Sequence, residues 1–485
     1  MGTEVIYRKA KLWQVICYAF NAFIGMSVYT LIGMASYSAN LGFGIATAAV
    51  GLILTFTRIL DGVTDPLLAI LYDSVNTKFG KIRPLLCLGF VIEALALLSM
   101  FVWFPGKTAG VGGLVLFVVL YVIYVIGYTI INMTAQTIPA LISNDPKQRP
   151  LIGVWVTAFN YLLPMSLGIL FNVVLLPMYG GTYTLDYLAA ACKICMVIAL
   201  IGLLFVCLGV SAYDKPENFA GFNARNETIK IKDMLIVLKN NRPLQCFVAS
   251  EASDKLAQIA GSQSIITTML YGILIGNMGL STILNMIAML PSILFAVLGA
   301  RYAGKHGSKE AIVTWTKVSM GITVIMTVFL FVIDTTQIAA MLSVPMILYT
   351  LITFALNGSK MCITTANTSY MADVIDYELD RSGEYIPAVI TGVYSFVDKI
   401  ISSFGAAIAA GAVALIGYTE TMPQPGDPLT TPVIIVTIAM MYIFPLIGWI
   451  CTLIAMKFCH LDKEEMVQVQ KRIADRKKSV HGEQE

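Results

Sequence analysis

The stretch from Arg58 to Pro84, RILDGVTDPLLAILYDSVNTKFGKIRP, decides the fold. Arg58, Asp61 and Asp65 lie at spacings of three and four inside an apolar run, so they project from one face of one helix. Ionisable groups in a membrane-length segment are costly; they face a water-filled cavity or one another and mark an ion or solute path. The stretch leaves the apolar region through a short loop carrying Asp73, Lys78, Gly80, Lys81 and Arg83, and Pro84 opens the next apolar run. One hairpin thus carries a charged cavity wall and a basic turn.

Outward from this hairpin the chain is apolar almost throughout. Of its 485 residues 57% are hydrophobic and 13% charged, with a mean hydropathy of +0.78. A soluble domain carries about 25% charged residues, so this is a polytopic membrane protein. The net charge of +3 is too small to indicate nucleic acid. The nine cysteines fall in or at the ends of apolar runs without a disulfide framework and read as reduced packing residues. Cys192 and Cys195 form a CxxC, but in an apolar helix with no histidine nearby; His306, His460 and His481 lie in polar loops or the tail, and no zinc motif is present.

Apolar runs fall at 12–37, 44–72, 84–104, 112–141, 151–176 and 186–212, and again at 242–274, 278–303, 309–333, 337–366, 386–416 and 431–457. The pattern predicts an all-α polytopic protein with twelve transmembrane helices in two six-helix bundles. Residues 1–212 form the first bundle, 213–241 a cytoplasmic linker, 242–458 the second bundle and 459–485 a charged cytoplasmic tail. Within the linker, 229–239 reads as an amphipathic helix on the inner membrane surface or as a plain tether. The first run is too long for a signal-peptide core and stays as a span. With both termini in the cytoplasm, 25 of the 32 lysines and arginines fall on the inner side, as the positive-inside rule requires of a cell-membrane protein. The turn GKIRP after the second run has a counterpart in ARYAGKHGSK after the eighth, which marks two related halves.

Four motifs in order, RxxDxxTDP leading into DxxxxxxGKxRP, IPALISNDPKQRPL, MADVIDYELDRSG and SFVDK, resemble the glycoside-pentoside-hexuronide:cation symporter family of the major facilitator superfamily. The likeness spans nearly the whole chain. It implies the major facilitator fold and places the family's two cation-binding aspartates at Asp61 and Asp65, with Thr64 where the family pattern has an asparagine and Thr129 as the hydroxyl near the cation. Arg58 and Lys399 become the coupling residues reaching toward the two acids. The residues themselves agree, because carboxylates one turn apart in low dielectric need a bound cation or a proton. Na+ and H+ both remain open as coupling ion, with Asp61 and Asp65 as the Na+ ligands if sodium is used.

For the solute, the resemblance points to Asn132, Gln136 and Ser395. Gly25 and Thr364 stand where the family pattern has aspartate and tryptophan. Other charges appear instead: Glu251, Asp254 and Lys255 in the seventh run, Lys360 in the tenth, and Asp398 beside Lys399 in the eleventh. Glu251 and Lys255 either pair at i and i+4 or line the solute path with Asp254, Lys360 and Lys399. Asp73, Lys81, Arg83, Asp373 and Asp376 near the inner surface read as gate and hinge contacts. The expected activity is secondary transport by alternating access, in which a small polar solute, a carbohydrate or uronide, enters with Na+ or H+. The alternatives are a non-sugar organic anion or an amphiphile as cargo, or a membrane sensor on the same fold. No P-loop, GxSxG or histidine cluster suggests an enzyme. No cofactor and no partner beyond solute and lipid is implied, and nothing demands more than a monomer.

Overall fold

The computed structural model describes residues 9–57, 59, 77, 80–143, 148–215, 231–289, 292–340, 342–383 and 386–482. These residues are helical apart from turns, loops and one bridge between Thr77 and Gly80. Among the described residues nine helices are long and apolar enough to cross a membrane. The helices follow the twelve apolar runs. In the first half they are α1 (Leu12–Ile32), α2 (Thr47–Thr57), α3 (Ile82–Trp103), α4 (Gly110–Ile142), α5 (Gln148–Gly168, prolonged by a π-helical stretch) and α6 (Leu185–Val210). The linker forms α7 (Ile231–Asn240).

In the second half α8 (Arg242–Gly261) is too charged to pass as an apolar span, because its middle carries the acids and lysine noted above. It is followed by α9 (Ser264–Leu274), α10 (Met278–Met289), α11 (Ser292–His306), α12 (Ser308–Val332), α13 (Val344–Ser382), α14 (Pro387–Ala414) and α15 (Thr431–Lys457). The sharp turn from α9 into α10, 111°, holds Gly276 at φ +78.

Two boundaries depart from the sequence reading. The tenth span starts later than expected and runs to Ser382, so MADVIDYELDRS is helix; it ends where Gly383 takes the left-handed conformation at φ 79. Ser343 caps its start by accepting from the Met346 amide at 3.1 Å. The tail is also helical, as α16 (Lys463–Gly482).

The chain divides into two compact units, residues 1–225 with 410–427, and 226–409 with 428–485. In unit 1, small residues let helices meet backbone to backbone. A Cβ on Gly127 of α4 would lie 2.7 Å from the Glu93 amide of α3, and one on Gly202 of α6 would lie 2.8 Å from the Phe20 carbonyl of α1. The segment 410–427 belongs to this unit through its own bonds. Asn40 donates to the carbonyls of Ile45 (3.0 Å) and Glu420 (2.7 Å) and accepts from the Met422 amide. Tyr37 donates to the Pro423 carbonyl at 2.8 Å, and the Tyr183 amide donates to Gln424 at 2.9 Å. Burial with Asp427 alongside pushes the Tyr418 phenol in this segment up to about 12.

In unit 2, α8 packs on α15, where Gly448 approaches the Ser253 carbonyl, and α12 and α11 pack on α13. Leu204, Ile325 and Ile454 are more than half exposed on outward faces, as lipid-facing positions of a span should be.

Candidate functional site

Unit 2 encloses a cavity of about 480 Å³ between α8, α13, α14 and α15. Asn241 positions the first wall: its side chain accepts from the Leu244 amide at 2.8 Å, and Pro243 stands in the first turn, which fixes the start of α8. Nine residues on, about 14 Å along the axis, Glu251, Asp254, Lys255 and Gln258 reach the cavity from one face. The facing wall is a polar stripe on α13, Lys360, Thr364, Asn367 and Thr368, again at helical spacing. Tyr394 enters from α14, and Pro445 and Trp449 from α15.

Within this frame Glu251 is held at both oxygens. The Asn367 side-chain amide donates to one, and the Tyr394 hydroxyl donates to the other at 3.5 Å. Lys360 lies over the Trp449 ring, 5.7 Å from its centroid, and interacts across the cavity with Asp254. Among the described residues none of Glu251, Asp254, Lys255 and Lys360 closes an ion pair. Two buried polar atoms of this lining find no hydrogen-bond partner among the described residues: the Trp449 indole Nε1, which faces Asp254, and the Asn367 Oδ1. Trp449 is 1% exposed and Asn367 8%. Such a wall recognises a hydroxyl-bearing or charged solute by hydrogen bonds, with Phe247, Ile363 and Met371 supplying apolar surface.

The structure brings together four of the residues singled out for the solute, Glu251, Asp254, Lys255 and Lys360. The pairing of Glu251 with Lys255 is not made. Ser395 and Lys399 lie on α14 near Tyr394 but outside the cavity lining, with Ser395 exposed. On α4, Thr129 is buried and Asn132 exposed; Gln136 follows one turn later, its side chain outside the description. Arg58, Asp61, Thr64, Asp65 and Asp73 lie outside the described residues.

The described residues read from sequence as gate and hinge contacts take definite partners. Asp214, wholly buried after α6, accepts from the amides of Lys81 (2.8 Å), Ile82 (3.1 Å) and Arg83 (2.9 Å) and from the Arg83 guanidinium at 3.2 Å. Asp376 accepts from Gln470 of α16 at 2.7 Å, and Asp380 pairs with Arg472 at 2.7 Å. Asp373 lies beside Ser308 at the start of α12.

Sequence reasoning missed Asn367, Tyr394, Gln258 and Trp449. For Asn367 a signal existed, the polar stripe at positions 360, 364, 367 and 368 of an otherwise apolar helix. Tyr394 and Trp449 gave none, since an aromatic residue in a span is ordinary lining or core.

The family model described as MFS/sugar transport protein matches residues 16–463. The putative glycoside/cation symporter YagG of Escherichia coli (strain K12) is 23% identical over 401 residues, covering 80% of each chain. The glucuronide carrier protein homolog of the same organism is 22% identical over 478 residues, covering 97% of this chain and 95% of the other. Among solved structures, a mutant of the nucleoside transporter NupG superposes with a TM-score of 0.62 at 14% identity, covering 92% of this chain and 98% of that one. Its likeness carries the twelve-helix major facilitator fold, and the match along the chain carries the kinship: this multi-pass membrane protein belongs to the MFS/sugar transport protein family.

Proposed function

We propose that this protein is a secondary active transporter of the cell membrane, carrying a sugar, glycoside or uronide inward together with Na+ or H+ by alternating access. The observation that carries the reading is the charged, hydroxyl-suited cavity of unit 2 in a chain whose relatives are named as glycoside/cation symporters. Asp61 and Asp65 hold the coupling cation, with Thr64 and Thr129 as neutral oxygen donors and Arg58 and Lys399 linking the cation to the solute. Asn132, Gln136 and Ser395 add solute contacts, and both termini face the cytoplasm. The protein works as a monomer. One cation crossing 100 mV supplies about 2.3 kcal/mol, which sustains roughly fifty-fold accumulation at about 1.4 kcal/mol per tenfold.

Proteoliposome uptake tests this. A panel of labelled glycosides and uronides is offered with an inward Na+ gradient, with an inward H+ gradient, and with neither. One solute accumulates only under one of the gradients, and Asp61→Asn or Asp65→Asn abolishes that accumulation. Full concentrative uptake by both variants removes the cation site from these residues, and failure of every gradient to drive uptake removes the symport reading.

A further inference from the structure

The two long walls of the unit 2 cavity, α8 and α13, face each other across open space and yet are held in register. Among the described residues two side-chain hydrogen bonds join α8 and its cap to α13. One is the bond from Asn367 to Glu251 at the cavity. The other lies where α8 starts and α13 ends, with the Asn241 side-chain amide donating to Glu378 Oε2 at 2.8 Å. Asn241 and Glu251 are ten residues apart and Asn367 and Glu378 eleven, or about 15 Å and about 16.5 Å at the rise of an α-helix. The bonds are therefore two rungs between antiparallel rails of nearly equal length.

Asn241 uses every polar group it has at this joint. Its backbone amide donates to the Val237 carbonyl of α7 at 2.9 Å, its Oδ1 accepts from the Leu244 amide of α8, and its Nδ2 reaches Glu378. Asn241 is wholly buried and Glu378 is 1% exposed. The Arg381 guanidinium grips Glu378 with two bonds, Nε to Oε2 at 3.0 Å and Nη2 to Oε1 at 2.7 Å. Taking a carboxylate out of water is costly, and an apolar contact often binds two helices as well. What a polar rung adds is a single allowed offset, because its donor meets its acceptor at one register only. The offset matters here. Each residue of slip turns a helix by about 100°, which carries Glu251, Asp254, Lys255 and Gln258 off the cavity.

Resting on the transport reading above, we propose that Glu378 is a positioning residue for the unit 2 cavity, acting through Asn241. It stands outside the cavity lining and touches no solute. It fixes the start of α8, with the linker helix α7 behind it, against the end of α13, and so sets where the α8 side chains stand relative to Lys360 and Asn367.

The test exchanges donor and acceptor on the rung. Asn241→Asp keeps the oxygen that caps α8 but sets a carboxylate against Glu378; Asn241→Ser keeps a cap but is too short to reach across. Combining Asn241→Asp with Glu378→Gln restores one donor and one acceptor in reversed order. Each change is made in the full-length protein carrying Thr364→Cys on the cavity wall. The folded, monodisperse fraction is labelled with a methanethiosulfonate reagent, and labelling of the same protein with Thr364 intact is subtracted. Both single variants label position 364 about tenfold faster, as α8 turns away from the cavity, and the double variant returns to within about twofold of the parent. A merely structural rung lowers the unfolding midpoint and leaves this rate alone. If Asn241→Asp yields no folded protein, Asn241→Ser decides. The proposal is overturned if neither single variant changes the rate, if the double variant stays as fast as the single ones, or if the double variant yields no folded protein. Labelling needs no solute, so a protein that labels as described but accumulates nothing in proteoliposomes sinks the symport reading and leaves this one standing.

Discussion

Asp214 shows how a single side chain can organise the turn that the sequence made conspicuous. The GKIRP turn looks from sequence like a basic patch for a gate, yet its three consecutive amides and the Arg83 guanidinium all converge on this one buried carboxylate. It serves as a cap supplied from the far end of the same unit, satisfying donors that the first turn of α3 cannot satisfy itself. Gly80 is needed beside it, because it sits at φ +96 and a Cβ there would run into the carboxylate. Removing the acid leaves several donors and one cation without their acceptor, so Asp214→Ala is expected to cost about 3 kcal/mol, read as a lowered unfolding midpoint of the detergent-purified protein. Glu465→Ala on the exposed pair with Arg472 should cost under about 1 kcal/mol in the same assay. The contrast lies in burial, which sequence position does not report.

Among the elements, α3 and α4 pack as closely as their glycines allow. Gly89 and Gly127 face the opposite backbone or a β-branched side chain at distances that leave no room for a larger group. Such close approach replaces the hydrophobic drive that lipid removes. Gly127→Leu should therefore wedge the pair apart and abolish folded yield, checked by size-exclusion profile after extraction, whereas the same change at Gly112, with open space around it, should be silent. At this scale the sequence was largely readable. Apolar runs of more than twenty residues are hard to mistake, and the ends of α3, α6 and α15 fall within a few residues of the expected ones. The error at α13 has a physical source. Its last turns carry Asp373, Asp376, Glu378 and Asp380, which read as loop by polarity, but Gln470, Arg381 and Arg472 supply partners that make a charged helix stable outside the membrane. The solute wall was half readable for a related reason. Glu251, Asp254, Lys255 and Lys360 stand out because a charge in a span needs a reason, while Trp449 and Tyr394 acquire theirs only from neighbours brought in by other helices.

For the whole molecule, the distribution of lysine and arginine is the feature that composition alone could orient. If the basic loops lie inside, a single cysteine introduced at Thr108 reacts with an impermeant maleimide on intact cells, and one at Ser308 reacts only after permeabilisation. The native cysteines are free and set the background of that assay. Labelling of Ser308→Cys from outside would invert the topology proposed here and with it the direction of transport.

The length of α13 has a mechanical corollary. Its 39 residues extend about 58 Å, nearly twice the roughly 30 Å of bilayer hydrocarbon, and its one proline-bearing turn is the first. Lys360 and Asp380 are thus two marks on one rigid rod, about 30 Å apart, the first bordering the cavity and the second gripped by Arg472 of α16. A tilt of about 5° displaces one mark sideways by roughly 2.6 Å relative to the other, so a spin label or fluorophore on the C-terminal helix serves as the pointer of a gauge whose needle is pivoted beside the ligand.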